Sequence, residues 1–402
     1  MVGEEALTYG TNSPSFASSP EEIRIAVEQN ALDRGILLIK VIVSLQVDKV
    51  LSLVEGLGQS YDKEDFCELA NEIGVDKAAL RIIDDVNLPV SYLCYFCTPD
   101  LLVEHPELVF YYRNMAMLSR KVMRGIGLDT SSVEDAGERP SPQMARELAV
   151  YFNTIVSALL KGAGTITPYR HVVMMMGNVG DALGGVSRNE VGRVAMMRIL
   201  NPLVARLHSR GFLASIAYSL KGQITLDDDD SGAEERKWIE ITPHTNVQEL
   251  LDRFETYRVL YHELRMVNGS RLLLNAQLKW VDPITGETYK VGPDLHSHVG
   301  DTDLLWAGEL KGGADPAGSD EHWKTATEAL RRITDAARRT DRPKPQLSFI
   351  AAILVDRVAR AAQSWIDNGD LTSVYNLTQM YEKREEMDRY LNDMVRFLGC
   401  QG

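Results

Sequence analysis

Cysteine is scarce. Four residues, Cys67, Cys94, Cys97 and Cys400, in a chain of 402 exclude a disulfide framework. Cys94 and Cys97 form one CxxC, but no second CxxC or HxxxH completes a zinc site, so these thiols read as buried and structural. Long apolar runs are missing too. The most apolar stretch, Gly35 to Val47, is short and carries Lys40, so no membrane span is expected. The opening MVGEEALTYGTNSPS lacks a basic region followed by an apolar one, so no signal peptide is expected and the protein reads as soluble and cytoplasmic. Positive charge is in deficit. A net charge of -14 argues against an indiscriminate polyanion binder. It leaves room for a nucleic-acid enzyme, whose binding depends on local charge.

What is present is ordinary globular composition, 45% hydrophobic and 25% charged, which excludes disordered, collagen-like and coiled-coil chains. The length suggests about two to three domains of roughly 150 residues each. No internal repeat is found. Residues 1 to about 20 are small and polar and are expected to fray. Ser19-Pro20-Glu21-Glu22 reads as a helix start, with proline in the first turn and acids behind it. Helical patterns follow to about Leu57, over Asp62 to Ile73, over Tyr111 to Arg124 and over Pro140 to Leu160. Residues 1–165 are therefore expected to form a mainly helical N-terminal region, and residues 166–402 a second domain.

The middle holds GNVGDALGGVSRNEVGR, Gly177 to Arg193, expected to pack a helix start against another backbone. It has too few features of a phosphate loop, since no GK[ST] follows. A helix with Arg193, Arg198, Arg206 and Arg210 comes next, and Asp227 to Ala233 reads as a solvated acidic loop. Arg271 to Val281 (RLLLNAQLKWV) is a strand candidate, and Pro283 to Gly286 a turn. Asp294 to Val299, Asp303 to Leu310 and Gln346 to Val355 read as further strands. Ser319 to Arg339, Asp356 to Asp367 and Val374 to Leu398 read as helices. The fold class expected is α/β (α+β), a mixed sheet flanked by helices with a helical N-terminal region.

Chemistry concentrates in one place. Pro293-Asp294 is followed fifteen residues later by Glu309-Leu310-Lys311. Residues two apart on a strand share a face, so Glu309 and Lys311 point one way and Leu310 the other. A hairpin turning at Asp301-Thr302 would set Asp294 opposite Glu309, about 5 Å away. Two buried carboxylates repel unless something neutralises them. A hard cation such as Mg²⁺ does so through oxygen ligands and keeps waters for chemistry. Lys311 can then position an attacking water or stabilise a phosphorane oxygen. Gly312 and Gly313 would let backbone or a phosphate approach closely. A second ExK, Glu235-Arg236-Lys237, lacks an apolar strand before it and an aspartate at hairpin distance, and is discounted.

Asp294, Glu309 and Lys311 resemble the PD-(D/E)xK nuclease signature. GELKGGADPAGSDEHWKTA, Gly308 to Ala326, resembles the type II restriction endonucleases of the AvaI/BsoBI type, as do GDALGGVSRN, Gly180 to Asn189, SFIAAILV and DLTSVYNLT, Asp370 to Thr378. The resemblance covers roughly Gly177 to Leu398. It implies a homodimer that encloses a short palindromic site in double-stranded DNA and hydrolyses one phosphodiester per strand with Mg²⁺. It also implies a companion DNA methyltransferase in the cell. Glu309 would be a metal ligand, Lys311 the catalytic lysine, His322 a group near the attacking water, and Asp315 a reader of a base edge. The family places a lysine three residues before its first aspartate. Val291 stands at that place before Asp294, whereas Lys279 stands there before Asp282. Hairpin symmetry favours Asp294 and the lysine favours Asp282. The balance falls to Asp282, with both kept as catalytic and metal candidates.

Each residue also has a plainer reading. Asp282 suits a turn before Pro283, Asp315 suits the Asp315-Pro316 turn, and His322 suits the first turn of a helix. His296 and His298 share the face of Asp294 and read as ordinary strand residues rather than ligands. Arg188 and Lys279 are kept as DNA-contact candidates. Arg331, Arg332, Arg338, Arg339, Arg342 and Lys344 form either a solvated helix face or a phosphate-contact surface. The leading reading is a sequence-specific, Mg²⁺-dependent endonuclease. The alternatives are a repair or structure-specific nuclease and a non-catalytic DNA-binding protein.

Overall fold

The computed structural model describes residues 13–400 except 61–62, 87–90, 165, 168, 221–234 and 301–302. Two compact units result. One takes the described residues within Met1–Gly35, Arg188–Gln223 and Asp230–Gly402, the other those within Ile36–Ser187. Among the described residues no helix is long and apolar enough to cross a membrane.

The helical unit holds the end of α1 (Pro20–Ser44), α2 (Val47–Ser60), α3 (Lys63–Leu69), α4 (Lys77–Asp84), α5 (Pro99–Glu104), α6 (Leu108–Met115), α7 (Arg120–Gly125), α8 (Ser131–Ala136), α9 (Pro142–Ala163) and the start of α10 (Arg170–Ser209). Helix α9 starts where Ser141 Oγ accepts the Met144 N–H and Pro142 takes the first position. Asn153 on its buried face donates to the carbonyls of Ile73 and Cys97 and accepts the Cys97 N–H. Cys94 and Cys97 are buried and reduced. Burial pushes the Cys94 thiol up to about 11 and the Cys97 thiol higher, so neither is a ready thiolate. The helix expected over Tyr111 to Arg124 is broken at Met117, at φ 57°. Its Arg113 is buried and gives two hydrogen bonds to Glu134 of α8, which makes it an internal brace.

The sheet unit is built on eight strands. They are β1 (Leu213–Leu220), β2 (Lys237–Glu240), β3 (Val259–Met266), β4 (Ser270–Leu274), β7 (Leu295–Val299), β8 (Asp303–Lys311), β9 (Gln346–Ala351) and β10 (Ser373–Asn376), in the order β10-β9-β8-β7-β4-β3-β1-β2. β8, β9 and β10 pair in parallel and the others antiparallel. A separate two-stranded sheet joins β5 (Leu278–Val281) to β6 (Thr288–Val291). One sheet face carries Ile216, Leu264, Leu272, Leu295, Trp306 and Ile350. It is buried with residues of α10, α11 (Val247–Thr256) and α15 (Arg384–Phe397). Over β8 and β9 the other face carries Ala307, Leu347 and Phe349. These pack with α12 (Ser319–Arg339), α13 (Asp356–Asp367) and the small sheet. The mixed α/β class is as expected.

Four local expectations are corrected. RLLLNAQLKWV is two strands, because Asn275 adopts the left-handed region at φ 50° and turns the chain from β4 toward β5. Val374 to Leu398 opens as β10, whose four residues are all buried, before α14 (Leu377–Glu382) and α15. Gly177 to Arg193 lies inside the 40-residue α10 rather than at a helix start. The stretch before Pro20 is packed where it is described. Phe16 and Ser18 are buried, Ser18 exchanges hydrogen bonds with Leu354, and Asn376 and Gln379 bind the carbonyls of Phe16 and Ala17. Residues 13–35 thus join the sheet unit, and the division falls inside α1 and α10 rather than at residue 165. Residues 1–12 and the acidic loop 227–233 lie outside the described residues.

The helix starts match their signals. Ser19 N–H donates to Glu22 Oε2 while Glu22 N–H donates to Ser19 Oγ, a reciprocal cap at the head of α1. Helix α12 spans the expected Ser319 to Arg339, anchored by Trp323 against Phe349 and Trp365.

Candidate active site

Strands β7 and β8 form the hairpin that sets the site. Leu295 pairs with Gly308, His296 with Ala307 and Ser297 with Trp306, and continuing that register by one residue puts Asp294 opposite Glu309. A one-residue shift beyond Ser297 lies nearer the turn and leaves this end undisturbed. Trp306 is wholly buried, stacks on Phe397, and donates from Nε1 to Ser348 Oγ. Its ring occupies the space a side chain at Gly308 would need. Leu310 is buried among residues of the opposite sheet face. That alternation turns Glu309 and Lys311 together toward Asp294.

The polar contacts close the group. Asp294 Oδ2 accepts the Leu310 N–H at 2.7 Å, and Lys311 Nζ donates to Glu309 Oε2 at 3.2 Å. Glu309 is 3% exposed. Burial, and next the charge of Asp294, push its carboxyl up to about 8, against the pull of Lys311. Asp282 is not among the charges acting there. It sits in the turn of the small sheet, where Oδ1 accepts the N–H groups of Ile284 and Thr285. The geometry therefore reverses the sequence preference: Asp294, not Asp282, converges on Glu309 and Lys311. Lys279 stands on β5, the strand that leads into Asp282.

The two glycines after Lys311 serve the protein's own packing. A side chain on Gly312 would meet Ala195 Cβ at 2.7 Å and the Val191 carbonyl at 3.0 Å, both on α10. One on Gly313 would meet His322 Cε1 at 2.9 Å. His322, in the first turn of α12, thus lies over Gly313. Its pKa is held below the ordinary value by burial and then by the Lys311 ammonium, against the pull of Asp315 and Glu321. Asp315 caps its own turn, accepting the Ala317 N–H at 3.0 Å. Lys311, Asp315 and His322 are thus electrostatic neighbours.

Other candidates lie apart from this group. Arg188 is exposed on α10. Lys279 is exposed on β5, directly opposite exposed Lys290 on β6. Most of the basic stretch from Arg331 to Lys344, on α12 and just after it, folds back on the protein. Arg331 lies over Trp365, Arg339 over Tyr289 and Arg342 over Trp280, while Arg338 pairs with Asp335 and Lys344 with Asp370. His296 and His298 are buried, 2.6 Å apart, with His296 Nε2 3.1 Å from the Ala276 carbonyl. Burial, and then His298, push His296 down to about 4. The Asn275–Ala276 turn leaves one signal in the sequence, an asparagine inside an apolar run.

Among the described residues no group of three or more His, Cys, Asp and Glu could hold a metal. The pair Asp294 and Glu309 nevertheless suits a magnesium ion. Such an ion binds through one or two carboxylates and fills its remaining positions with water and phosphate.

Residues 295–387 match the family described as Restriction endonuclease BsobI, a stretch that includes Glu309, Lys311, Asp315 and His322 and begins one residue after Asp294. The chain is 29% identical over 210 residues to the type II restriction enzyme BsoBI of Geobacillus stearothermophilus, covering 50% of this chain and 58% of that one. It is 47% identical over 72 residues to the type II restriction enzyme AvaI of a Nostoc strain and to that of Anabaena variabilis, covering 18% of this chain and 22% of each. The match thus spans less than two thirds of these relatives.

Proposed function

We propose that this chain, which resembles restriction enzymes of the AvaI/BsoBI type, is a sequence-specific endonuclease that hydrolyses double-stranded DNA with Mg²⁺. The observation that carries the reading is the convergence of Asp294, Glu309 and Lys311 at one end of the β7–β8 hairpin.

Asp294 and Glu309 would hold the magnesium ion, which when bound supplies Lewis-acid stabilisation of the phosphate and a more acidic water. The Leu310 N–H occupies Asp294 Oδ2 and so orients that carboxylate. The Lys311 ammonium, beside Glu309, is placed to meet charge that develops on a phosphate oxygen. His322 favours its neutral form, so a ring nitrogen can take the proton of an attacking water. Asp315, one turn before α12, can accept from a base amino group at a groove edge. Lys279 and Arg188 would contact phosphates. A homodimer would match a short palindromic site, and a methyltransferase would protect the cell's own copies of it.

The test is a digest of a sequenced phage genome with Mg²⁺ or with EDTA, run beside Lys311→Ala. Discrete bands that need Mg²⁺ and vanish in the variant are expected, and end-sequencing then reads the site. A smear would move the reading to a non-specific or structure-directed nuclease. Full activity in Lys311→Ala would sink the assignment of the site.

A further inference from the structure

We propose that His296, held in one tautomer by His298, is a positioning residue for Asp294 and acts through the Asn275–Ala276 kink. The inference rests on the reading of Asp294 as a reacting-site carboxylate.

The hydrogen bonds run in one direction. A carbonyl oxygen can only accept, so His296 Nε2, 3.1 Å from the Ala276 carbonyl, carries the hydrogen. In the neutral ring Nδ1 is then an acceptor. His298 Nε2, 2.6 Å away, is its donor. Both rings are buried, 1% and 4% exposed, so these bonds face little competition from water. The chain of bonds ends on the kink. There Asn275, at φ 50°, turns its own N–H onto the Asp294 carbonyl at 2.8 Å.

Asp294 is thus held at three points. Asn275 binds its main chain, Leu310 binds its carboxylate, and His296 two residues on fixes the kink that carries Asn275. Packing alone does not call for imidazoles here. The cross-strand neighbours of His296 are Leu273 and Ala307, and an apolar side chain would suit them. Replacing a buried polar pair by apolar groups is often neutral for stability. The polar pair is therefore explained by what its hydrogen bonds hold rather than by the core it fills.

The full-length protein and its cleavage site on a short duplex test this. His296→Leu removes both bonds. His296→Gln keeps a donor and an acceptor on one planar group. His296→Leu is expected to lower kcat by about 10- to 100-fold, the scale of a small misplacement in an active site, with KM little changed. His296→Gln is expected to recover most of that loss. Hydrogen exchange in EDTA gives a readout without catalysis: the Leu310 amide should exchange faster in His296→Leu and at the wild-type rate in His296→Gln.

Wild-type kcat in His296→Leu, a glutamine variant no better than the leucine one, or unchanged Leu310 exchange would each overturn the proposal. If His296→Leu does not fold, His298→Leu takes its place. It leaves the Ala276 bond but frees the tautomer, and wild-type kcat and exchange there would also overturn the idea. If the wild-type protein cleaves no DNA, the proposed function fails, and the exchange measurement still decides whether His296 positions Asp294.

Discussion

At Glu309 a single side chain records the electrostatics of the site. Its carboxyl titrates near 8 in the folded chain, raised by burial and by Asp294, against an ordinary value of 4.5. A raised folded pKa contributes stability that is complete below about 4.5 and is lost as pH rises through about 8. Melts in EDTA between pH 5 and 9 should show that loss, on the order of a few kcal/mol. Glu309→Gln should remove it, and added Mg²⁺ should suppress it. Gly313 makes a second case. A methyl there would meet the His322 ring at 2.9 Å. Gly313→Ala should therefore lower kcat by about 10- to 100-fold if His322 takes the proton, with little change in Tm. A matching loss of Tm and activity would show that the glycine serves packing alone.

Elements explain why some of the site was legible and some was not. The alternation that separates Leu310 from Glu309 and Lys311, and the hairpin spacing that pairs Asp294 with Glu309, are local properties of strands. The sequence showed both. The choice between Asp282 and Asp294 was not local. It turned on Asn275, whose left-handed backbone ends β4 and makes β5 and β6 a separate hairpin. That hairpin sets Lys279 and Lys290 face to face, with no ion-pair or hydrogen-bond partner among the described residues. Like charges directly opposed cost stability, and a phosphate between them would relieve that cost. Lys279→Ala should reduce the slope of log K against log salt by about 1 in a DNA-binding titration without metal. An unchanged slope would remove Lys279 from the interface.

For the whole molecule, a net charge of -14 and a DNA substrate are compatible only if positive charge is local. Most of the arginines from Arg331 to Arg342 are committed to rings and carboxylates of their own unit. These side chains are then less available for phosphate contacts. A palindromic site further predicts that the protein sediments at twice the 44.9 kDa of one chain. A monomer on DNA that nonetheless cuts both strands together would refute the symmetric arrangement.

The sequence by itself determined the class of the fold, the span of α12, the reciprocal cap at the head of α1, and the grouping of Glu309, Lys311 and a preceding aspartate. These follow from periods of two and 3.6 residues and from short-range caps, which act within a few residues. Tertiary structure alone decided three other matters. It brought Asp294 rather than Asp282 beside Glu309, it drew residues 13–19 into the sheet unit through Asn376 and Gln379, and it gave Gly312 and Gly313 to α10 and His322. Each depends on a contact between residues distant in the chain or on one backbone angle. Neither leaves a periodic trace for a sequence to show.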